Sequence, residues 1–210
     1  TILNSRPVIE SLTIGPEEVQ TNDVISADVE TYDADGDPVD VTYQWKINGV
    51  DVTDLADDSF VINGLTHFDK GDSVQVTATP AEGGGEPGTP VDSEAIVVLN
   101  TPPGSPEIEI LPGTPEPEDT LECVVVLDAP DDDDDPITYS YRWFRNGIET
   151  SVTTSTVSPT LTEHEDTWEC EVLAADDEES GGSTSTSVVV NDLTNPDPPV
   201  FDDLANHVNE

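Results

Sequence analysis

Two heptapeptides constrain this chain more than any other feature: YQWKING at 43–49 and YRWFRNG at 141–147, an offset of 98. Two further pairs keep nearly the same spacing. NDVISADV (22–29) matches EDTLECVV (118–125) at an offset of 96, and KGDSVQVTA (70–78) matches HEDTWECEV (164–172) at 94. A drift of two with the matched segments ungapped is what a repeated unit produces when loops, not strands, change length. The 210 residues therefore read as two successive copies, each large enough to bury a modest core of its own.

The pattern inside each copy is that of strands. Val39, Val41, Tyr43, Trp45 and Ile47 alternate with Asp40, Thr42, Gln44 and Lys46, and Ile137, Tyr139, Tyr141 and Trp143 repeat the rhythm. Period two over this length means one face on a core and one in water. Asn48-Gly49 and Asn146-Gly147 follow at once, and Asn-Gly suits the positive φ angles of a type I′ hairpin turn. Further strands are expected at 7–14, 25–29, 74–78 and 95–99, and in the second copy at 121–127, 168–172 and 187–190. No segment carries a helical period. Short strands between Pro-, Gly- and Asp-rich loops point to antiparallel β-sandwiches.

Cys123 and Cys170 are the only cysteines, 47 residues apart with Trp143 between them. They read as a disulfide, with two reduced, buried thiols as the alternative. The repeat bears on the choice, because Cys123 aligns with Ala27, Cys170 with Val76 and Trp143 with Trp45. These are inward-facing core positions, and a bridge between facing sheets with a tryptophan against it is the immunoglobulin arrangement. The fold class expected is all-β, two tandem immunoglobulin-like antiparallel β-sandwiches. The expected boundaries are 7–100 and 101–193. Residues 1–6 are taken as the end of a preceding module or a donated strand, and 194–210 as a linker with the first strand of a following module or a donated strand.

With these motifs in hand, the chain resembles the bacterial Ig-like modules that occur in long tandem arrays of secreted and cell-surface proteins. The resemblance lies in NSRP (4–7) and NTPP (100–103), and in DADGDPVDVTYQWKING (33–49). It extends to DDDDDPITYSYRWFRNG (131–147), where the glycine is replaced. It implies a non-catalytic extracellular role. One departure from immunoglobulins proper is that Trp168, not tyrosine, stands two residues before Cys170, so the tyrosine corner is missing.

Composition enters through charge. The chain has 47 Asp and Glu against 5 Lys and Arg, a net charge of −42. Nucleic acid and anionic membrane surfaces would be repelled, and no apolar run approaches the ~20 residues of a membrane helix. The carboxylates serve either as a solvated coat or as ligands for a divalent cation. DADGDP places Asp33, Asp35 and Asp37 at alternate positions around Gly36, and the loop after 74–78 should bring Glu82 to the same pole. In the second copy Asp128, Asp131, Asp133 and Asp135 occupy the first loop and Asp176 with Asp177 the other. Carboxylates crowded in a tight loop suit Ca2+, which takes oxygen ligands only. An acidic turn built of good turn formers is the alternative. The twelve-residue EF-hand pattern is absent.

Nothing recommends an enzyme. HExxH, GxSxG and a phosphate-binding glycine loop are all missing, and acidic pairs are too numerous for any one to indicate a glycosidase. Aromatic residues are scarce and mostly assigned to the core, which weakens a sugar-stacking role. Hydroxyl-rich stretches at 150–160 and 180–187 are open to O-linked glycans or are ordinary β-sheet usage. The ends have their own logic. TILNSRP at the start resembles VVLNTPP (97–103), so Ile2 and Leu3 are expected to be the stump of an earlier strand. PVFDDL near the end resembles an opening strand, so Phe201 and Leu204 should pack on a neighbour.

The function expected is a structural spacer or filament module of a tandem-repeat surface protein, located outside the cell. It would be stiffened by calcium and joined head to tail to copies of itself or neighbouring repeats. The alternative is an adhesin gripping a glycan or surface protein through its loops. A non-catalytic domain of a secreted hydrolase is a third, poorer option.

Overall fold

The computed structural model describes residues 4–83 and 85–191. The expected strand stump at Ile2 and Leu3 and the opening strand carrying Phe201 and Leu204 lie outside the described residues. The architecture is all-β, two tandem immunoglobulin-like antiparallel sandwiches, with single helical turns at Gly64–His67 and Pro159–Leu161. Two compact units divide the chain. The first holds Thr1–Pro103 together with Pro130–Ile137 and Ala175–Ser180, and the second holds Gly104–Ala129, Thr138–Ala174 and the chain from Gly181.

In the first unit, β1 (Val8–Gly15), β2 (Val24–Tyr32) and β5 (Val61–Asn63) form one sheet in the order β1-β2-β5. The other sheet runs β4-β3-β6-β7, from β3 (Val39–Ile47), β4 (Val50–Asp51), β6 (Ser73–Glu82) and β7 (Val91–Asp92), with β8 (Ile96–Val97) also paired to β6. A parallel bridge between Gln20 and Leu99 closes the last strand onto the first sheet's approach. In the second unit, β9 (Glu107–Leu111), β10 (Leu121–Leu127) and β13 (Thr156–Val157) form a sheet in the order β13-β10-β9. The facing sheet is β12-β11-β14-β15, from β11 (Thr138–Arg145), β12 (Ile148–Glu149), β14 (Thr167–Ala175) and β15 (Ser180–Val189).

The hairpin turns follow the sequence. Asn48 and Gly49 have φ of 52° and 78°, and Asn146 and Gly147 have 51° and 78°, the left-handed pair a type I′ turn requires. Each asparagine also fastens the next strand. Asn48 accepts from the Ser73 amide at 3.0 Å, and Asn146 from the Thr167 amide at 2.9 Å.

The alternating residues make two separate cores. Ile25, Ala27 and Ile62 from one sheet meet Trp45, Val74 and Val76 from the other, with Val19, Phe68 and Val98. The second core combines Ile110, Leu121, Cys123 and Val157 with Trp143, Trp168, Cys170, Val172 and Val190. Each central tryptophan satisfies its indole N–H on a loop carbonyl: Trp45 on Ser59 and Trp143 on Thr154, both at 2.9 Å. Cys123 and Cys170 are disulfide-bonded between β10 and β14. Trp168 takes the place of Val74 and meets Trp143 edge to face at 6.2 Å. The first core fills the bridge position with Ala27 and Val76, both buried.

Several strands outrun the expected limits. β6 continues from the expected 74–78 out to Glu82 because β3 pairs with it along its whole length, Val39 opposite Glu82 and Ile47 opposite Val74. The hydroxyl-rich segment 180–187 lies within β15. Backbone pairing decides these ends, and apolar periodicity does not register it.

Closing a loop of 47 residues should stabilise the second unit by roughly 4 kcal/mol on the chain-entropy estimate. Reduction should therefore lower the urea midpoint of one unfolding transition and leave the transition of the cysteine-free unit in place, as read by circular dichroism. A single transition moving as a whole would contradict two separate cores.

Candidate cation centres

The first acidic pole is built by a loop and a strand end. Residues 33–38 connect β2 to β3, and the β3–β6 ladder carries Glu82 to the same place by pairing it with Val39. Asp33 organises the loop. Its Oδ1 accepts the amides of Asp35 at 2.8 Å and Asp37 at 3.1 Å, while its carbonyl accepts from Gly36. Gly36 has φ of +81°, a conformation that costs glycine little. The outcome is that Asp33, Asp37 and Glu82 each present an oxygen within 4.8 Å of the others.

Two of these residues are deeply buried, Asp33 at 9% exposure and Glu82 at 7%. Among the described residues, Asp33 Oδ2 and Glu82 Oε2 are buried with no hydrogen-bond partner. A charged acceptor left in this condition costs roughly 1–3 kcal/mol or more, and a hard cation is a ready way to satisfy it. A cleft of about 740 Å³ opens beside the cluster, with Asn4, Arg6, Asp37 and Glu82 in its wall. Arg6 is paired with Glu86, at 3.7 Å and largely in solvent, an arrangement worth ~0–1 kcal/mol.

Asp35 stands apart from this group. Its Oδ2 accepts both the amide and the hydroxyl of Ser5 at 2.7 Å. The Ser5 hydroxyl bond, followed by the Ser5 amide, holds its carboxyl below the usual aspartate value.

The second acidic loop repeats the construction. Asp131 Oδ1 accepts the amides of Asp133 at 2.9 Å and Asp135 at 3.2 Å. Asp134, with φ of +58°, stands where the first copy has Gly36, since aspartate is among the few residues that visit this region. Asp131, Asp133 and Asp135 bring oxygens within 4.8 Å of one another, and among the described residues Asp131 Oδ2 and Asp133 Oδ1 are buried without a partner.

The remaining expected ligands are committed elsewhere. Asp176 accepts the amides of Glu178 and Glu179 on one oxygen and the Asn100 side chain at 2.9 Å on the other. The Asn100 bond and then the Glu179 amide hold its carboxyl below the usual value. Asp128 accepts from the Tyr139 hydroxyl at 3.1 Å. A third group, Asp135 with Asp177 and Glu178, already receives an ammonium: Lys70 donates to Asp135, to Glu178 at 2.7 Å and to Asn100 Oδ1 at 2.9 Å. These bonds, Asp135 first, raise the Lys70 pKa.

Sequence reasoning passed over Asn4, Ser5, Asn100, Thr101 and Lys70. The signal for four of them was present in NSRP and NTPP. The asparagine side chain reaches Glu82 in the first copy and Asp176 in the second. The next residue's amide reaches Asp35 in the first and Asp133 in the second.

The fold defines a tandem immunoglobulin-like β-sandwich protein with carboxylates clustered in its acidic loops. No protein-family model matches the chain, and no curated protein matches it. Among solved structures, a two-domain fibronectin type III segment from chicken tenascin is 13% identical, with a TM-score of 0.43. The match covers 87% of this chain and 99% of that one. The FN1–FN3 domains of chicken CNTN1 are 13% identical over 88% of this chain and 67% of theirs, with a TM-score of 0.37. A structure concerned with Dscam isoform specificity is 17% identical over 90% of this chain and 46% of its own, with a TM-score of 0.34. These are likenesses of backbone architecture.

Asp35 and Asp176 carry depressed pKa values because the fold supplies donors that the unfolded chain lacks. Their contribution to stability is complete above the ordinary aspartate range and should be lost as pH falls below about 4, through the folded values. Ser5→Ala removes the main donor to Asp35, so the carboxyl titration of Asp35 followed by NMR should move up toward the ordinary value. An unmoved titration would show that the Ser5 bond does not form in solution.

Proposed function

We propose that this chain is a non-catalytic, extracellular structural module of a tandem-repeat surface protein, with Ca2+ held in its acidic poles and neighbouring copies joined head to tail. The single observation that supports it most is the pair of buried, unpartnered oxygens, Asp33 Oδ2 and Glu82 Oε2, beside Asp37. All the ligand atoms on offer are oxygens, the preference of a hard cation. Clustered carboxylates with no regular octahedral arrangement suit Ca2+, which tolerates variable geometry, better than the strict octahedron of Mg2+.

The disulfide favours an oxidising compartment. Among the described residues no helix is long and apolar enough to cross a membrane. A cation at each pole would offset the like charges of the Asp-rich loops and hold them against the strands that bear them, so the module resists extension. The open cleft beside Arg6 favours a second reading, an adhesin whose ligand enters there.

At Ca2+ about a hundredfold above its dissociation constant, a single site adds roughly 2.7 kcal/mol. For a domain of this size, that is about 10 °C or more in melting temperature. Calcium should produce this rise and chelation should reverse it. Glu82→Gln should abolish the rise contributed by the first pole while making the cation-free chain more stable, since it removes one of three crowded charges. A melting temperature indifferent to Ca2+ and to chelator would overturn the proposal. Loss of a glycan or protein ligand on alanine substitution of the loop acids, with stability unchanged, would favour the adhesin.

A further inference from the structure

Three carboxylates do not complete the shell of a cation that takes six to eight oxygens at about 2.3–2.6 Å. The residue best placed to add another is Asn4, whose side chain already donates to Glu82 Oε1 and lines the same cleft as Asp37 and Glu82. We infer that Asn4 is a protein ligand of the cation held by Asp33, Asp37 and Glu82, so that cation binding fastens the segment ahead of β1 onto the acidic pole. This rests on the calcium reading above.

Three observations carry it. Asp33 and Glu82 are more than nine-tenths buried and, among the described residues, each keeps an oxygen that no donor meets, so the cluster presents buried negative charge that is left unmatched. Ser5 holds the chain next to Asn4 in place with two bonds to Asp35, which lowers the entropy cost of presenting Asn4 there. The placement also recurs: Asn100 bonds to Asp176 while Thr101 bonds to Asp133, at the positions that the repeat makes equivalent.

The chemistry needs only a rotation. Facing carboxylates alone, a carboxamide offers its NH2 end. Facing a cation, the same group turned about its last bond offers the carbonyl oxygen, an accepted Ca2+ ligand. The Ser5–Asp35 bonds are left intact by this turn, so Asp35 acts as the clasp of the segment while Asp33, Asp37, Glu82 and Asn4 hold the ion.

The test uses the chain with the second pole silenced by Asp131→Asn and Asp133→Asn, and Ca2+ alone as the probe in isothermal titration. Asn4→Ala should weaken the remaining site about tenfold or more, and Asn4→Asp, which restores an oxygen, should recover it. Amide exchange at Ser5 and Arg6 should slow on adding Ca2+ to the parent and should not slow in Asn4→Ala. Asn4 is exposed, so the variant leaves the core untouched, and an unchanged circular dichroism spectrum verifies that. Calcium affinity indifferent to Asn4, with exchange at Ser5 and Arg6 unaltered by the ion, overturns the ligand assignment and leaves the carboxylate site standing. A parent chain that binds no Ca2+ overturns both.

Discussion

The arrangement of each acidic loop depends on one carboxylate doing two things. Asp33 gives Oδ1 to the amides of Asp35 and Asp37, and Asp131 does the same for Asp133 and Asp135. These bonds curl the loop so that Asp37 joins Asp33 and Glu82 in the first copy, and Asp133 and Asp135 join Asp131 in the second. Two unit charges 4.8 Å apart, the outer limit of the spacing in these groups, repel by about 3 kcal/mol at an effective dielectric of 20. The fold accepts that repulsion because the loop amides and the β3–β6 ladder hold the groups in place.

The two copies reach the same core by different means. In the second, a covalent bridge spans the sheets and two tryptophans pack edge to face beside it. In the first, Ala27 and Val76 replace the sulfurs and Val74 replaces Trp168, leaving Trp45 as the large central group. Strand order and the tryptophan N–H bonds to Ser59 and Thr154 are preserved. Packing of alternating residues from two sheets is thus sufficient for the sandwich, and the disulfide adds stability to an arrangement that exists without it. The acidic poles differ more. Lys70 supplies an ammonium to Asp135 and Glu178, whereas the cation at the margin of the first pole is the exposed Arg6.

Much of the fold was legible because β-structure of this kind is written locally. Period-two alternation marked β3 and β11, Asn-Gly marked both hairpin turns, and the repeat aligned Cys123 and Cys170 with buried positions of the other copy. The carboxylate loops were visible as Asp-rich turns. The strand ends were not, because β6 reaches Glu82 and β15 begins at Ser180 through pairing with distant partners. The division of labour within the loops was also hidden. Asp33, Asp35 and Asp37 look equivalent in the sequence, yet one organises the turn, one clasps Ser5 and one faces the cluster. Asp176 and Asp128 seemed as good as their neighbours until Asn100 and Tyr139 were found on them.

The sequence alone determined that the chain forms two homologous sandwiches with turns at the Asn-Gly pairs, since periodicity, turn chemistry and the internal repeat each depend on residues near one another. Only the tertiary structure decided which carboxylate oxygens are left buried without a donor, and that Asn4, Ser5, Asn100 and Thr101 belong to the acidic poles. Those outcomes turn on contacts between residues 30 to 78 positions apart. Such contacts are made when the sheets close, and no local pattern specifies which of many similar acids will meet which donor.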